Sequence, residues 1–414
     1  MAAVSNSNTR VFYATQAVTI GGIGNVAAPI DSWKSGTTDQ TGANQIVHGL
    51  QSIGVDTNFN LEQAFELGQL SLYENIEDIP DISVSMNKFL DGYPLIYHLG
   101  ASFTDVVSAS NSTELGVTKT TLSGRADTRA DVRMVINATT DENVTSGDAA
   151  VSELYCSGMY ISSISYTVPT DGTCTEEVGF VGNNKKWIVD PDVADNLLLA
   201  DDSGVHDNFA SIFGSDEPNA PGNHVLRRED VVTTASGLTG GAGGYSTVVP
   251  NIIAGVTTGG GINSREPTNA GLVNTDNVHI NSFTCSTDLG REAINQLGTR
   301  TPYNRYVNFP TEVTSVIEVT ATAGDNIDAV ETARSNLSNH EICVVLADST
   351  IFHLGKKNKV GSITYGGGDA GGGNATISYN FSNFNDLVIL HSGDPIRGSN
   401  VGITSSDYWY DKFA

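Results

Sequence analysis

Gly366, Gly368 and Gly371 stand in the Gly-x-Gly-x-x-Gly spacing that lets backbone amides approach a dinucleotide pyrophosphate. That chemistry needs a helix N-terminus directly after the glycines. Here Ala375, Ile377, Tyr379 and Phe381 alternate with polar residues instead, so the glycines are read as the turn between two strands. Gly355-Lys356-Lys357 lacks the upstream glycine and the following Ser or Thr of a phosphate loop. Asp190, Asp192 and Asp195 could face a calcium ion, but the glycine and distal Glu of an EF-hand loop are missing, and solvated acids are the simpler reading. The eight histidines have no metal-binding spacing, no Gly-x-Ser-x-Gly elbow occurs, and Cys156, Cys174, Cys285 and Cys343 lie far apart with no Cys-x-x-Cys. The expectation is a chain without catalytic residues, cofactor or metal, with its thiols free in the producing cell.

The totals point the same way. A chain of 414 residues can bury a large core, and 44 glycines with only 16% charged residues favour strands and turns over helical bundles. Net charge is −26, from 47 acidic and 21 basic residues, which repels phosphate and argues against tight nucleic-acid binding. The N-terminus shows neither a basic leader nor a long apolar segment, and no later run reaches membrane-span length, so folding in a cytoplasm is expected.

The elements that must position any site are read from periodicity. Between Phe65 and Leu99, Pro80 forbids a continuous helix and leaves Ile82, Val84 and Met86 alternating with serines as a strand. Asp91-Gly92 then suggests a hairpin turn into a second strand over Tyr93 to Leu99. Asn60 could cap a helix starting at Leu61, weakened by Gly68. In Ser123 to Met134, Arg125, Asp127, Arg129, Asp131 and Arg133 would share one face of a strand as a solvated ladder of ion pairs. Ile164, Tyr166 and Val168 mark another strand, ending at Pro169, with Asp171-Gly172 as the next hairpin turn. Asp288 to Leu297 fits a short helix, and Val313, Ile317, Val319 and Ala321 line one side of a later strand. The order of residues in 160–187 recurs loosely in 279–306, through two related β modules or by chance. The layout is an N-terminal arm or loop region (1–60), a first β region (61–189), an acidic and glycine-rich insertion (190–277) and a second β region (278–414).

Three stretches carry a resemblance: LGQLSLYENIEDIPDISVSMNKFLDGYPLIYHL, DLGREAINQLGTRTPYNRYVNFPTEV and LGKKNKVGSITYGGGDAGGGNATISYNFSNFNDL. Together with YISSISYTVPTDGTCTEEVGFVGNNKKW they resemble the tail tube, or major tail, proteins of contractile-tailed bacteriophages. The resemblance implies a mainly β fold, a tail-tube-like β-barrel or sandwich with short helices, whose homo-hexameric rings stack into a tube. Sheath, baseplate and tail-terminator proteins would be its partners, DNA would pass without specific binding, and the protein would reside in the virion tail after assembly in host cytoplasm. Added to the interface chemistry of Arg and Tyr side chains, it makes Arg300, Tyr303, Arg305 and Tyr306 candidate subunit contacts, although bracing a neighbouring strand is equally open. The acidic charge would then line the channel. Competing readings are a sheath or capsid-decorating protein and a β-rich surface binding protein.

Overall fold

A computed structural model describes residues 16–22, 45–68, 70–77, 79–93, 95–101, 129–137, 150–189, 224–232, 247–256, 269–271, 278–299, 302–322, 339–348, 350–368 and 373–390. Period-two alternation dominates these segments, and almost all of their regular structure is strand. The first half holds β1 (Gln16–Gly22), β2 (Gln45–Ile46), β3 (Leu50–Asn58), β4 (Leu61–Phe65), β5 (Leu72–Glu77) and β6 (Asp81–Phe89). Helix α1 (Ile96–Ala101), β7 (Ala130–Asn137), β8 (Ala150–Pro169), β9 (Thr175–Gly182) and β10 (Asn184–Val189) follow. The second half holds β11 (Val248–Pro250), β12 (Asn269–Gly271), β13 (Ile280–Asp288), β14 (Glu292–Ile294), β15 (Asn304–Tyr306) and β16 (Glu312–Thr320). It closes with β17 (Cys343–Val345), β18 (Ile351–His353), β19 (Lys359–Gly366), β20 (Thr376–Phe384) and β21 (Val388–Leu390).

The 20-residue strand β8 organises the sheets. Its C-terminal half pairs with β9 and β13, giving an antiparallel run β3-β6-β9-β8-β13-β16-β20-β19. Its N-terminal half pairs with β7 and β10, extending a second run β2-β1-β7-β8-β10. A separate five-stranded sheet, β12-β11-β17-β18-β21, packs its apolar residues into the same core. Phe352 of β18 meets Tyr166 of β8 at 4.5 Å between ring centroids, and the Ala254 amide donates to the Tyr379 hydroxyl at 3.0 Å. The fold is mainly β, with no sheet closed into a barrel among the described residues.

The two halves repeat one another. The order β3-β6-β9-β8 recurs as β13-β16-β20-β19, and β2-β1-β7-β8-β10 recurs as β12-β11-β17-β18-β21, with β18 and β19 sharing the course that β8 runs unbroken. Registers recur too: Val18 opposite Met134 answers to Val248 opposite Cys343, and Glu62 opposite Ile76 to Glu292 opposite Tyr306. Bulges, which are kept as features rather than accidents, fall at matching places: Leu50/Ser52 and Ile280/Ser282, then Ile161/Ser163 and Val360/Ser362. Leu67-Gly68, Tyr73 and Pro80 stand 230 positions before Leu297-Gly298, Tyr303 and Pro310 (67 to 297, 80 to 310). Both glycines take positive φ, 97° and 87°, at the tips of equivalent hairpins.

Several expectations change. Residues 61–77 form the β4–β5 hairpin, because Gly68 turns the chain and Leu61, Phe65 and Leu72 find no core to make a helix amphipathic against. Asp91 and Gly92 make a bend into α1 rather than a hairpin: β6 already has β3 and β9 on its two sides, so residues 93–99 have no edge to pair with. Asp171 and Gly172 do lie in the loop that joins the antiparallel pair β8 and β9, with Gly172 at φ 112°. Asp131 and Arg133 are buried instead of solvated, since β7 runs between β1 and β8; Tyr155 donates to Asp131 at 2.7 Å and its ring lies 5.2 Å from the Arg133 guanidinium. Arg129 is exposed, while Arg125 and Asp127 lie outside the described residues. Residues 288–297 end β13 and form β14 instead of a helix. Within 190–277, β11 and β12 start the second repeat, and within 1–60, β1 to β3 belong to the first. The structural counterpart of β8–β9 is β19–β20, not the 279–306 stretch that the wording suggested. No described helix is long and apolar enough to cross a membrane.

Candidate assembly surfaces

The run from β3 to β19 has two unlike faces. Along β6, Ile82, Val84 and Met86 point into the core and Ser83 and Ser85 to solvent; along β16, Val313, Ile317 and Val319 point in and Thr314 out. Cross-strand neighbours keep the outer face polar: Asp56 opposite Ser83, Glu177 opposite Ser165, Ser165 opposite Ser286 and Ser286 opposite Thr314. Among the described residues six carboxylates lie on this face, Asp56, Asp81, Glu177, Asp288, Glu312 and Glu318; Asp81, at its margin, is held by Arg305, and Lys359 is the ammonium that faces the other five. It is a hydroxyl-rich, acidic surface.

Two hairpins stand off the long sheet, each a two-stranded sheet of its own. Such a ribbon is marginal in water unless something covers it. On β4–β5, Phe65, Leu67, Leu70 and Tyr73 are all more than half exposed, with Glu62, Glu66 and Glu74 among the nearby charges. On β14–β15, Leu297 and Tyr303 are exposed at the tip, but the base is tied to the first repeat. Arg305 donates to Asp81 at 2.6 Å and to Asn183, while Arg291 donates to the Ile161 carbonyl at 2.8 Å and lies 5.1 Å from the Tyr160 ring. Tyr160 hydrogen-bonds Asn304. Burial opposes ionisation of Asp81, but hydrogen bonds from Asn60, Arg305 and Asn183 and the Arg305 charge outweigh it and hold the carboxyl below its ordinary value.

The residues singled out from sequence therefore separate. Tyr303 and Tyr306 are exposed, Arg305 is 7% exposed and braces its own chain, and Arg300 lies outside the described residues. Arg291, Tyr160, Asp81 and Asn183 complete that brace and were not singled out, because 288–297 read as a helix and the hairpin that Arg291 anchors shows only in the structure. Asp91 is buried, bound by the Lys88 ammonium at 2.9 Å.

Potentially reactive groups are held in inert settings. Burial pushes the Cys156 thiol up to about 11 and Cys285 to about 12; burial and the Asp230 and Asp348 charges push Cys174 to about 12; Cys343 is raised further by burial and Glu341. All four are free. His224 bonds Asp230 at 2.9 Å, so a carboxylate and an imidazole are paired near Cys174, but a thiol that resists ionisation is no nucleophile. Among the described residues no group of three or more His, Cys, Asp or Glu could hold a metal ion.

No family model matches the chain, and no curated protein matches it. Among solved structures, the 6-fold symmetrised baseplate of the anti-feeding prophage aligns with 44% of this chain and 97% of its own, at 8% identity and a TM-score of 0.25. The sheath-tube complex of an extracellular contractile injection system (PVC) in its extended state aligns with 45% and 99%, at 10% identity and a TM-score of 0.26. Similarity at that level does not establish a shared fold.

Proposed function

We propose that this protein is a non-enzymatic structural subunit of a contractile phage tail tube, closing into six-position rings that stack around a channel for DNA. The observation that carries the reading is the β3-to-β19 run: one apolar face against the core, one hydroxyl-rich acidic face and, among the described residues, an open edge at each end. Ring closure removes such edges, which otherwise invite uncontrolled pairing. The acidic face is the channel wall, and it offers passing phosphates no cluster of Lys or Arg to bind. The exposed β4–β5 hairpin and Tyr303 and Tyr306 meet neighbouring subunits. The wording shared with tail tube proteins supports the same role, with sheath, baseplate and terminator proteins as further partners.

Electron microscopy of the purified protein tests this. Rings or tubes with a central channel are expected; isolated particles at concentrations up to the micromolar range would overturn it.

A further inference from the structure

The junction between the repeats is itself a subunit-like interface. β8, the last strand of the first repeat's four-strand run, pairs antiparallel with β13, the first strand of the second. By the repeat, β19 is the counterpart of β8 and β3 the counterpart of β13. Among the described residues both have one open side.

Burial at those edges points to a missing neighbour. Tyr166 and Ile164 on β8 are buried, whereas their counterparts on β19, Tyr365 and Ile363, are 63% exposed and only partly covered. Phe283 and Cys285 on β13 are buried, whereas their counterparts on β3, Ile53 and Val55, are only partly covered. The inward row of the core thus runs to both edges and stops without a cap.

We infer that β19 of one copy pairs antiparallel with β3 of the next, in the register of the β8–β13 junction, so that each chain fills two successive positions of the ring. Transferring Tyr166 opposite Cys285 and Ser165 opposite Ser286 places Tyr365 opposite Val55 and Thr364 opposite Asp56. The hairpins transfer with the strands. Where β14–β15 docks on the first repeat through Asn304 and Tyr160, β4–β5 of the next copy brings Glu74 to Lys359. Both are exposed here, and opposite charges replace a neutral pair. The apolar residues of β4–β5 gain the cover they lack, next to Phe384, which is 57% exposed. The occupant of the edge is a second copy of this chain, because only that copy carries the matching register, bulge and charge.

The stoichiometry rests on the six-position ring proposed above; the interface does not. Three chains of 43.6 kDa, not six, then complete one ring.

Cysteines at Asp56 and Thr364 test the register, since the four native thiols are buried. Oxidised D56C/T364C protein should form inter-chain disulfides that end in a closed covalent trimer on non-reducing gels. The pair D56C/I363C, one residue out of register, should cross-link at least ten-fold less. Equal cross-linking of both pairs, or none by either, overturns the interface. E74K and K359E each should lower assembly, and the double exchange E74K/K359E should restore it; failure of the exchange to restore assembly by either single variant overturns the hairpin contact even if a cysteine variant misfolds. Native mass spectrometry of wild-type rings giving six chains per ring overturns the two-position arrangement. Cross-linked rings that never stack into tubes would reject the tube and keep the interface, whereas tubes without the cross-link would do the reverse.

Discussion

Lys88 and Glu176 sit opposite one another across β6 and β9, and the same two positions of the second repeat hold Val319 and Ile377. All four are buried. In the first repeat the charges serve local ends: Glu176 accepts from the Ile96 and Tyr97 amides at 2.7 and 3.1 Å and from the Tyr166 hydroxyl at 2.8 Å, while Lys88 donates to the His48 carbonyl and to Asp91. Burial nonetheless raises the Glu176 carboxyl above its ordinary value, with the Lys88 charge and the three donors opposing it.

The natural Val–Ile pair defines a double-mutant cycle. K88V alone leaves buried Asp91 without its ammonium, and E176I alone leaves the Ile96 and Tyr97 amides and the Tyr166 hydroxyl without their acceptor, so each should cost about 3–5 kcal/mol in denaturant unfolding. The double variant K88V/E176I should cost less than the sum by at least about 1 kcal/mol, because the attraction between the two charges is counted in each single loss but is lost only once. Additive costs would mean that the two charges are independent.

Much of the sheet was legible and its joints were not. Alternation in 82–86, 164–168 and 313–319 marks strands because each has one face in the core, whatever its neighbour is. Residues 93–99 and 61–73 misled for the opposite reason: their conformation depends on which edges are free, and sequence periodicity does not report that. Asp131 and Arg133 look solvated until β1 and β8 are known to flank them. The repeat hid because the residues it shares are few and widely spaced, Leu67-Gly68, Tyr73 and Pro80 against Leu297-Gly298, Tyr303 and Pro310, while other side chains diverged as far as Lys88 and Val319. Of the interface residues, the exposed tyrosines could be read from composition, but Arg305 could not be assigned, since its acceptor Asp81 lies 224 residues away.

Asp81 and Arg305 give a pH prediction. A carboxyl whose folded pKa is lowered contributes stability above its unfolded value near 3.8, and that contribution is lost as pH falls through the folded value. The β14–β15 hairpin should therefore stay docked at pH 4 and loosen only below it. With Asp81 about half exposed, D81N should change protection of residues 292–306 in hydrogen exchange by no more than about five-fold. Loosening that begins near pH 5 would show that another group controls the hairpin.

The thiols give a third. At pH 8 the folded protein should react with a thiol reagent at no position, and with four equivalents once unfolded, because burial holds each thiol protonated and out of reach. Fast labelling of Cys156 or Cys174 in folded protein would contradict their placement in the core.

The channel face gives the last, and it depends on the proposed tube. Among the described residues Asp56, Glu177, Asp288, Glu312 and Glu318 face the side away from the core with Lys359 as their opposing ammonium, and Asp81 at the margin is already paired with Arg305. When Glu74 of the next copy engages Lys359, the charges left unpaired on the wall among the described residues are carboxylates, so DNA is repelled from all sides at distances within the roughly 8 Å screening length at physiological salt. Replacing Glu177 and Glu318 by lysine puts ammonium groups where phosphates pass. Each phosphate so engaged adds about −0.9 to the slope of log affinity against log salt, so retention of double-stranded DNA by assembled E177K/E318K tubes should rise at low salt and vanish at high salt. Neutral E177Q/E318Q tubes should stay close to wild type, since removing repulsion creates no binding site. If the lysine variant assembles and holds DNA no more than wild type at low salt, the acidic face does not line the channel.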